Sequence, residues 1–137
     1  MKKYLVLFIT ILLFNCSDKK QEKEIDPLLI GTWTGSEYGL EKEGMQKRWI
    51  QHRFKDGTYI IIFTTIEGND VDSYAEKGKW WIEDKKFHEY NFIRGGTDIY
   101  NYKILDKDHI KFKAVKLTYE QTNPNYEFVD CKMIENF

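Results

Sequence analysis

Histidine, cysteine and carboxylate side chains could hold a metal ion or attack a substrate in this sequence, and their spacing decides between these roles. His52, His88 and His109 show none of the two-residue or four-residue spacings that zinc sites use. The acidic loop "EGNDVD" (67–72) lacks the dense oxygen pattern of a calcium loop. No nucleophile motif, phosphate loop or dinucleotide fingerprint is present in the sequence. We therefore expect a protein that is not an enzyme and that uses no metal ion or other cofactor.

Cys16 is the reactive side chain whose position is most informative. Lys2 and Lys3 precede an apolar run at 4–14, which is too short to span a bilayer as a helix and is typical of a secretory signal peptide. The letters "LFNC" (13–16) resemble the lipobox of bacterial lipoproteins, although phenylalanine and asparagine replace the usual small residues before the cysteine. The resemblance implies a diacylated cysteine, with fatty chains such as palmitate, and cleavage just before it. A plain signal peptide or an uncleaved anchor are the alternatives.

Three regions follow from this interpretation: a signal peptide (1–15), a flexible tether (16–25) and one domain (26–137). Loss of the signal peptide removes two lysines and no acid, which takes the formal net charge from −1 to −3. Without a basic cluster, nucleic acid is not an expected partner. We expect the domain to lie in the bacterial cell envelope, extracytoplasmic and bound to a membrane through its lipid. A protein partner is not indicated by the sequence.

The domain has the residue pattern of an all-β protein. Turn signals recur at short intervals between segments rich in Tyr, Phe, Trp, Ile and Thr, which suit a pleated, half-buried surface. Evenly spaced strands joined by hairpins predict an antiparallel up-and-down barrel. The predicted strands number about eight and lie near 30–36, 46–54, 58–66, 71–82, 86–93, 98–105, 109–118 and 125–134.

The start of the domain carries a more specific signal. Asp26 and Pro27 suit the N-cap and first position of a single helical turn. The following "GTW" (31–33), together with "FKDGTY" (54–59) and "GKWWI" (78–82), resembles the lipocalin-like (calycin) proteins. The resemblance covers most of the domain and implies an eight-stranded barrel behind a short helical turn.

Two residues of the first motif have structural roles in this interpretation. Gly31 allows close approach of a neighbouring group, and Trp33 fills the closed end of the barrel. The resemblance also implies a basic residue on the last strand that packs over this tryptophan, and Lys132 is the candidate.

The turn at Asp56-Gly57 leaves two registers open for its hairpin. A two-residue turn pairs Phe54 with Tyr59, whereas a three-residue loop with a left-handed glycine pairs Phe54 with Thr58. Both registers place the same side chains of the preceding strand on one face.

His52 shares a strand face with Ile50 and Phe54, opposite Gln51 and Arg53. Because two members of the first set are apolar, we expect that face to point into the barrel. His52 is then either a hydrogen-bonded core residue or a polar group that orients a ligand.

Aromatic side chains complete the candidate ligand site. Trp80 and Trp81 are adjacent, so one points inward and the other outward, and Tyr100 and Tyr102 share a face. Such residues form walls with polar tips, although small barrels also fill their interiors with them. The candidate ligand-binding residues are Ile50, His52, Phe54, Trp80, Tyr100 and Tyr102.

The lipocalin-like resemblance implies non-covalent binding of a small apolar or amphipathic molecule in the barrel mouth, with the loop at 36–44 as a lid. The alternative is a protein-interaction module with a filled barrel, such as an envelope-assembly subunit or a hydrolase inhibitor. An open cavity favours the first and a packed interior with an apolar outer patch favours the second.

Overall fold

A computed structural model describes residues 22–119, 123 and 125–134 of the 137-residue chain. It contains a short 3₁₀ helix (Pro27–Leu29) and eight strands. The strands are β1 (Gly31–Tyr38), β2 (Met45–Arg53), β3 (Thr58–Glu67), β4 (Asp70–Glu83), β5 (Lys86–Asn91), β6 (Gly96–Asp106), β7 (His109–Lys116) and β8 (Glu127–Lys132). The predicted signal peptide (1–15), Cys16 and the tether up to residue 21 lie outside the described residues.

Each strand pairs antiparallel with the next, and β8 pairs with β1 to close the barrel. The closing seam is short, with Trp33 opposite Lys132 and Thr34 opposite Cys131. The predicted all-β fold, an eight-stranded antiparallel up-and-down barrel, is therefore confirmed. Closure shortens the unpaired sheet edges that promote association between molecules, although most of β1 and β8 is not paired across this seam.

The helical turn plugs one end of the barrel. The Asp26 carboxylate accepts a hydrogen bond from the Leu28 backbone N–H at 2.9 Å, which confirms the predicted N-cap. Trp33 is 1% exposed, and its indole Nε1 donates to the Leu29 carbonyl at 3.0 Å. The Lys132 ammonium lies 5.5 Å from the centroid of this ring, as the family resemblance implied. The turn and Trp33 together make this the closed end.

The hairpin between β2 and β3 adopts the three-residue form. The Phe54 N–H donates to the Thr58 carbonyl at 2.9 Å, and Gly57 has a φ of 81°. Glycine adopts this left-handed conformation without the steric penalty of a side chain. The hairpin lies at the closed end, where the Trp80 backbone N–H donates to the Gly57 carbonyl at 2.7 Å.

The faces of β2 are the reverse of those predicted. Ile50 and Phe54 are 46% and 43% exposed and His52 shares their outer face, so the prediction that these three side chains point inward is wrong. Gln51 and Arg53 point inward instead and are 2% and 1% exposed. They tolerate burial because each finds a polar partner inside the barrel.

The chain reaches the barrel at its closed end. Glu24 and Ile82 of β4 exchange backbone hydrogen bonds of 2.9 and 2.7 Å, and the Lys23 ammonium lies 3.9 Å from the centroid of the Trp81 ring. Contacts with the barrel thus extend to residues that the sequence placed in the tether. The hairpin loops at 39–44 and 92–95 lie at the opposite, open end.

Candidate functional site

A cavity of about 210 Å³ occupies the barrel between the closed-end plug and the open end. Hydrophobic residues fill the closed half, among them Leu29, Trp33 and Ile110, whereas the open half is not filled. The cavity is lined by Glu41, Lys47, Trp49, Gln51, Arg53, Ile61, Phe63, Tyr74, Glu76, Phe87, Glu89, Arg94, Asp98, Tyr100, Tyr119, Tyr126 and Phe128. Its wall contains both aromatic rings and charged groups, which suits a ligand with both apolar and polar parts.

A chain of buried hydrogen bonds crosses the floor of the cavity. Asp130 accepts from the Trp49 indole Nε1 at 2.8 Å and from Arg53 Nη2 at 2.5 Å. Arg53 Nη2 also donates to Gln51 Oε1 at 2.6 Å, and Gln51 Nε2 donates to Glu89 Oε2 at 2.6 Å. The chain joins β2, β5 and β8, and it orients the side chains of Gln51, Arg53 and Asp130.

Arg53 has donor groups that this chain does not use. Its Nε and Nη1 are buried and have no hydrogen-bond partner among the described residues. The guanidinium carbon lies 5.0 Å from the centroid of the Phe87 ring and 5.1 Å from that of Phe112, so the group packs against both rings. A buried donor without a partner costs about 1–3 kcal/mol, which a ligand acceptor would recover.

Glu89 is the carboxyl group on the floor with the most perturbed acidity. Burial raises the pKa of Glu89 from its ordinary 4.5 to about 7, and the negative charges of Asp98 and Asp130 add to the rise. The positive charge of Arg53 and the hydrogen bond from Gln51 act in the opposite direction. Asp98 is its direct neighbour across the β5–β6 ladder, so two acids share one inner face.

Ion pairs surround the mouth of the cavity. Lys47 Nζ lies 2.5 Å from Glu41 Oε2, which links β2 to the loop at 39–44. Arg94 Nη2 lies 3.5 Å from Glu76 Oε2 and 3.4 Å from Asp98 Oδ2. These pairs hold the loops of the open end over the cavity and give the entrance a polar rim.

The predicted site residues are divided between three places. Tyr100 lines the cavity. Trp80 points inward, as one of the two adjacent tryptophans was expected to, but it packs in the closed half, where its Nε1 donates to the Phe54 carbonyl at 3.1 Å. Tyr102 also lies towards the closed end and donates to Asp26 Oδ2 at 2.9 Å. Ile50, His52 and Phe54 lie on the outer face; the His52 Nδ1 is 2.8 Å from the Thr32 hydroxyl.

Sequence reasoning missed Trp49, Gln51, Arg53 and Glu89, the polar and aromatic groups of the cavity floor. A signal for them was present: Trp49 has the same parity as Gln51 and Arg53, and Phe87 has the same parity as Glu89. This parity was not used, because the prediction assumed that the more apolar face of a strand points inward, whereas the interior of this barrel is partly polar.

The outer surface of β1, β2, β3 and β8 carries a second, shallow feature, which we call the outer groove. It is lined by Thr34, Gly35, Ser36, Arg48, Trp49, Ile50, Ile62, Thr64, Ile66, Val129 and Cys131. Ile50 and Ile62 are direct cross-strand partners, and both are about half exposed. The groove is therefore a partly apolar strip on the barrel wall, and it shares Trp49 with the cavity.

Within the described ranges, no three His, Cys, Asp or Glu side chains lie close enough together to hold a metal ion. No helix in that part of the chain has the length and apolar character needed to cross a membrane. No protein-family model matches the chain, and a search of curated proteins finds no similar sequence. The function must therefore be argued from the fold and the cavity.

Proposed function

We propose that this protein binds a small amphipathic molecule, without covalent change, inside its barrel. The observation that carries the proposal is the open-ended cavity of about 210 Å³, which is lined in part by Arg53, a residue whose Nε and Nη1 lack partners among the described residues. A barrel whose role was only structural would gain stability by filling this space, since close-packed interiors are the rule. An eight-stranded barrel is also wide enough to hold one small ligand.

The composition of the wall supports an amphipathic ligand rather than a purely apolar one. Phe63, Tyr100 and Phe128 supply apolar surface, whereas Gln51 and Arg53 supply fixed polar groups. An alkane or a long fatty chain would leave the Nε and Nη1 of Arg53 without partners, which costs free energy. A molecule with an apolar body and one or two polar groups satisfies both kinds of wall.

We further propose that the protein is a lipocalin-like lipoprotein, held outside the cytoplasm by acyl chains on Cys16. The support is the lipobox-like sequence at 13–16 and the charged segment after it. The position of Glu24 at the closed end agrees with this proposal, because the barrel mouth then lies away from the anchor. More than one acyl chain is needed for durable anchoring.

The outer groove favours a second candidate function, a protein-interaction module. Ile50 and Ile62 of the groove, and Ile60 outside it, are each about half exposed on neighbouring strands. Contiguous exposed apolar side chains can mark a site of protein interaction. The barrel is not filled solid, however, and so lacks the packed interior that this alternative predicted.

Native mass spectrometry of the protein purified from its own cells tests the main proposal. We expect part of the protein to carry an additional small non-covalent mass that is lost on collisional activation. A spectrum that shows only the bare protein, in gentle conditions that preserve known barrel–ligand complexes, would contradict it.

A further inference from the structure

The charges around the cavity are not balanced. Among the described residues, four acidic and three basic side chains line it: Glu41, Glu76, Glu89, Asp98, Lys47, Arg53 and Arg94. One of the three cations, Arg53, is already paired with Asp130 behind the wall. Two cations therefore remain for four carboxyl groups.

The distribution of the ion pairs shows which carboxyl group lacks a cation. Lys47 pairs with Glu41, and Arg94 is shared between Glu76 and Asp98. None of the ion pairs formed within the described residues involves Glu89. Its hydrogen bond from Gln51 comes from a neutral amide, which supplies no charge.

Two further observations indicate that a ligand completes this site. The Nε and Nη1 of Arg53, a side chain 1% exposed, have no partner among the described residues although Arg53 lines the same cavity. Aromatic rings surround the space, among them Trp49, Tyr100 and Phe128. Ring faces attract a cation in a desolvated pocket.

We propose that the ligand carries a protonated amine, that this ammonium group binds the Glu89 carboxylate inside the barrel, and that Glu89 releases its proton to the solvent when the amine binds. The proposal rests on the proposed function and specifies its ligand class. The body of the amine would lie against the aromatic wall, and an oxygen acceptor on it would meet the free Arg53 donors.

The groups that face Glu89 are compatible with this exchange. They are Arg53 on β2, Tyr59 on β3, Asp98 and Tyr100 on β6, and Asp130 on β8. Glu76 on β4 and Arg94 in the loop at 92–95 line the same cavity and pair with each other. Burial raises the pKa of both tyrosines, so they stay neutral near pH 7. Asp98 accepts hydrogen bonds from the N–H and the hydroxyl of Thr118, both at 2.7 Å. Glu89 is thus the group expected to exchange a proton near pH 7.

The pH dependence of binding has a definite sign. The raised pKa of Glu89, about 7, means that most Glu89 is protonated at pH 6 and ionised at pH 8. An amine that binds only the ionised form should bind about tenfold more tightly at pH 8 than at pH 6. At pH 7 binding should release about half a proton per ligand.

Calorimetric titration of the full-length protein with 2-phenylethylammonium and with the neutral 2-phenylethanol tests the proposal. The ammonium probe stays protonated between pH 6 and 8, so its own charge does not change. We expect it to bind at least about tenfold more tightly than the alcohol at pH 8 and to show the tenfold loss at pH 6, while the alcohol shows none. Titrations in buffers of different ionisation enthalpy measure the number of protons released per ligand bound.

The variant Glu89→Gln tests whether Glu89 is the residue that causes the preference for the ammonium probe. It should remove both the preference for the ammonium probe and its pH dependence. The same change at Glu127, an exposed residue paired with Lys111 on the outer wall, is the matched control and should leave both intact. If Glu89→Gln does not fold, the pH profile and the proton count of the wild type still decide.

The results that would contradict this inference differ in which part of it they overturn. Equal binding of the two probes at every pH overturns the amine assignment and leaves the proposed function standing. Retention of the pH dependence in Glu89→Gln overturns the role of Glu89. Binding of neither probe at millimolar concentration also overturns the inference. The proposed function is then tested separately, by native mass spectrometry of the protein purified from its own cells.

Discussion

At the scale of single residues, Arg53 organises the interior of the barrel. Its guanidinium pairs with Asp130, donates a hydrogen bond to Gln51 and packs against the rings of Phe87 and Phe112. A buried ion pair adds little stability relative to apolar residues, but removal of one partner strands a charge. We therefore regard the pair as a device that fixes the polar floor of the cavity.

Replacement of one member of this pair should be costly. Arg53→Met leaves the Asp130 carboxylate buried without its cation, and we expect a loss of about 3–5 kcal/mol in the free energy of unfolding, measured with urea. Lys111→Met breaks an exposed pair and should cost less than about 1 kcal/mol. A small effect of Arg53→Met would mean that the guanidinium is solvated.

Glu89 should make the ligand-free protein less stable as the pH rises. Its folded-state pKa, about 7, lies above the ordinary 4.5, so folding favours the protonated form. The stabilisation is full below pH 4.5 and is lost as the pH passes through 7. Glu89→Gln should therefore gain Tm relative to the wild type between pH 5 and pH 8. A Tm difference that is constant over this range would show that Glu89 titrates normally.

At the scale of elements, the strands were predictable and the inner face of β2 was not. Turn residues and β-branched and aromatic segments placed all eight strands to within a few residues. The inner face was misassigned because Ile50 and Phe54 make the outer side of β2 look like a core face. The sequence of the neighbouring strand β3 could not correct the assignment of the β2 face, because β3 has apolar residues on both of its own faces. The partners that permit burial of Gln51 and Arg53 lie on β5 and β8, and sequence alone does not reveal such pairings.

Contact between β1 and β2 inside the barrel depends on Gly35. A Cβ added there would lie 2.2 Å from the Trp49 ring, whose indole is fixed by its bond to Asp130. Gly35→Ala should displace the ring and destabilise the protein by about 1–3 kcal/mol, measured by chemical unfolding. The neighbouring Ser36→Ala, on the exposed face, should change stability by less than about 0.5 kcal/mol. Equal effects of the two variants would contradict the observed packing.

At the scale of the whole molecule, the two ends of the barrel have different characters. The closed end is plugged by the 3₁₀ helix and receives the chain at Glu24, eight residues after Cys16. The open end carries the charged mouth of the cavity. If Cys16 is the anchor, the closed end lies nearest the membrane and the mouth opens away from it.

The anchor itself is testable through Cys16. Cys16→Ala should release the protein from the membrane fraction or leave an uncleaved precursor, because the acylated thiol is the expected attachment. Fractionation with immunodetection measures the first and intact mass the second. Membrane-bound wild-type protein with an unmodified Cys16 would refute the lipoprotein assignment.

The proposed ligand site lies inside the barrel and not in the outer groove, and substitutions at two adjacent residues of β3 distinguish the two places. Ile61 lines the cavity and is 5% exposed, whereas Ile62 lines the groove and is 50% exposed. Native mass spectrometry of Ile61→Trp and Ile62→Trp, each purified from the protein's own cells, compares the small mass that they retain. We predict that Ile61→Trp, which fills the cavity, loses the ligand and that Ile62→Trp keeps it. Loss of the ligand from Ile62→Trp alone would place the ligand in the outer groove and contradict the proposal that it lies in the cavity.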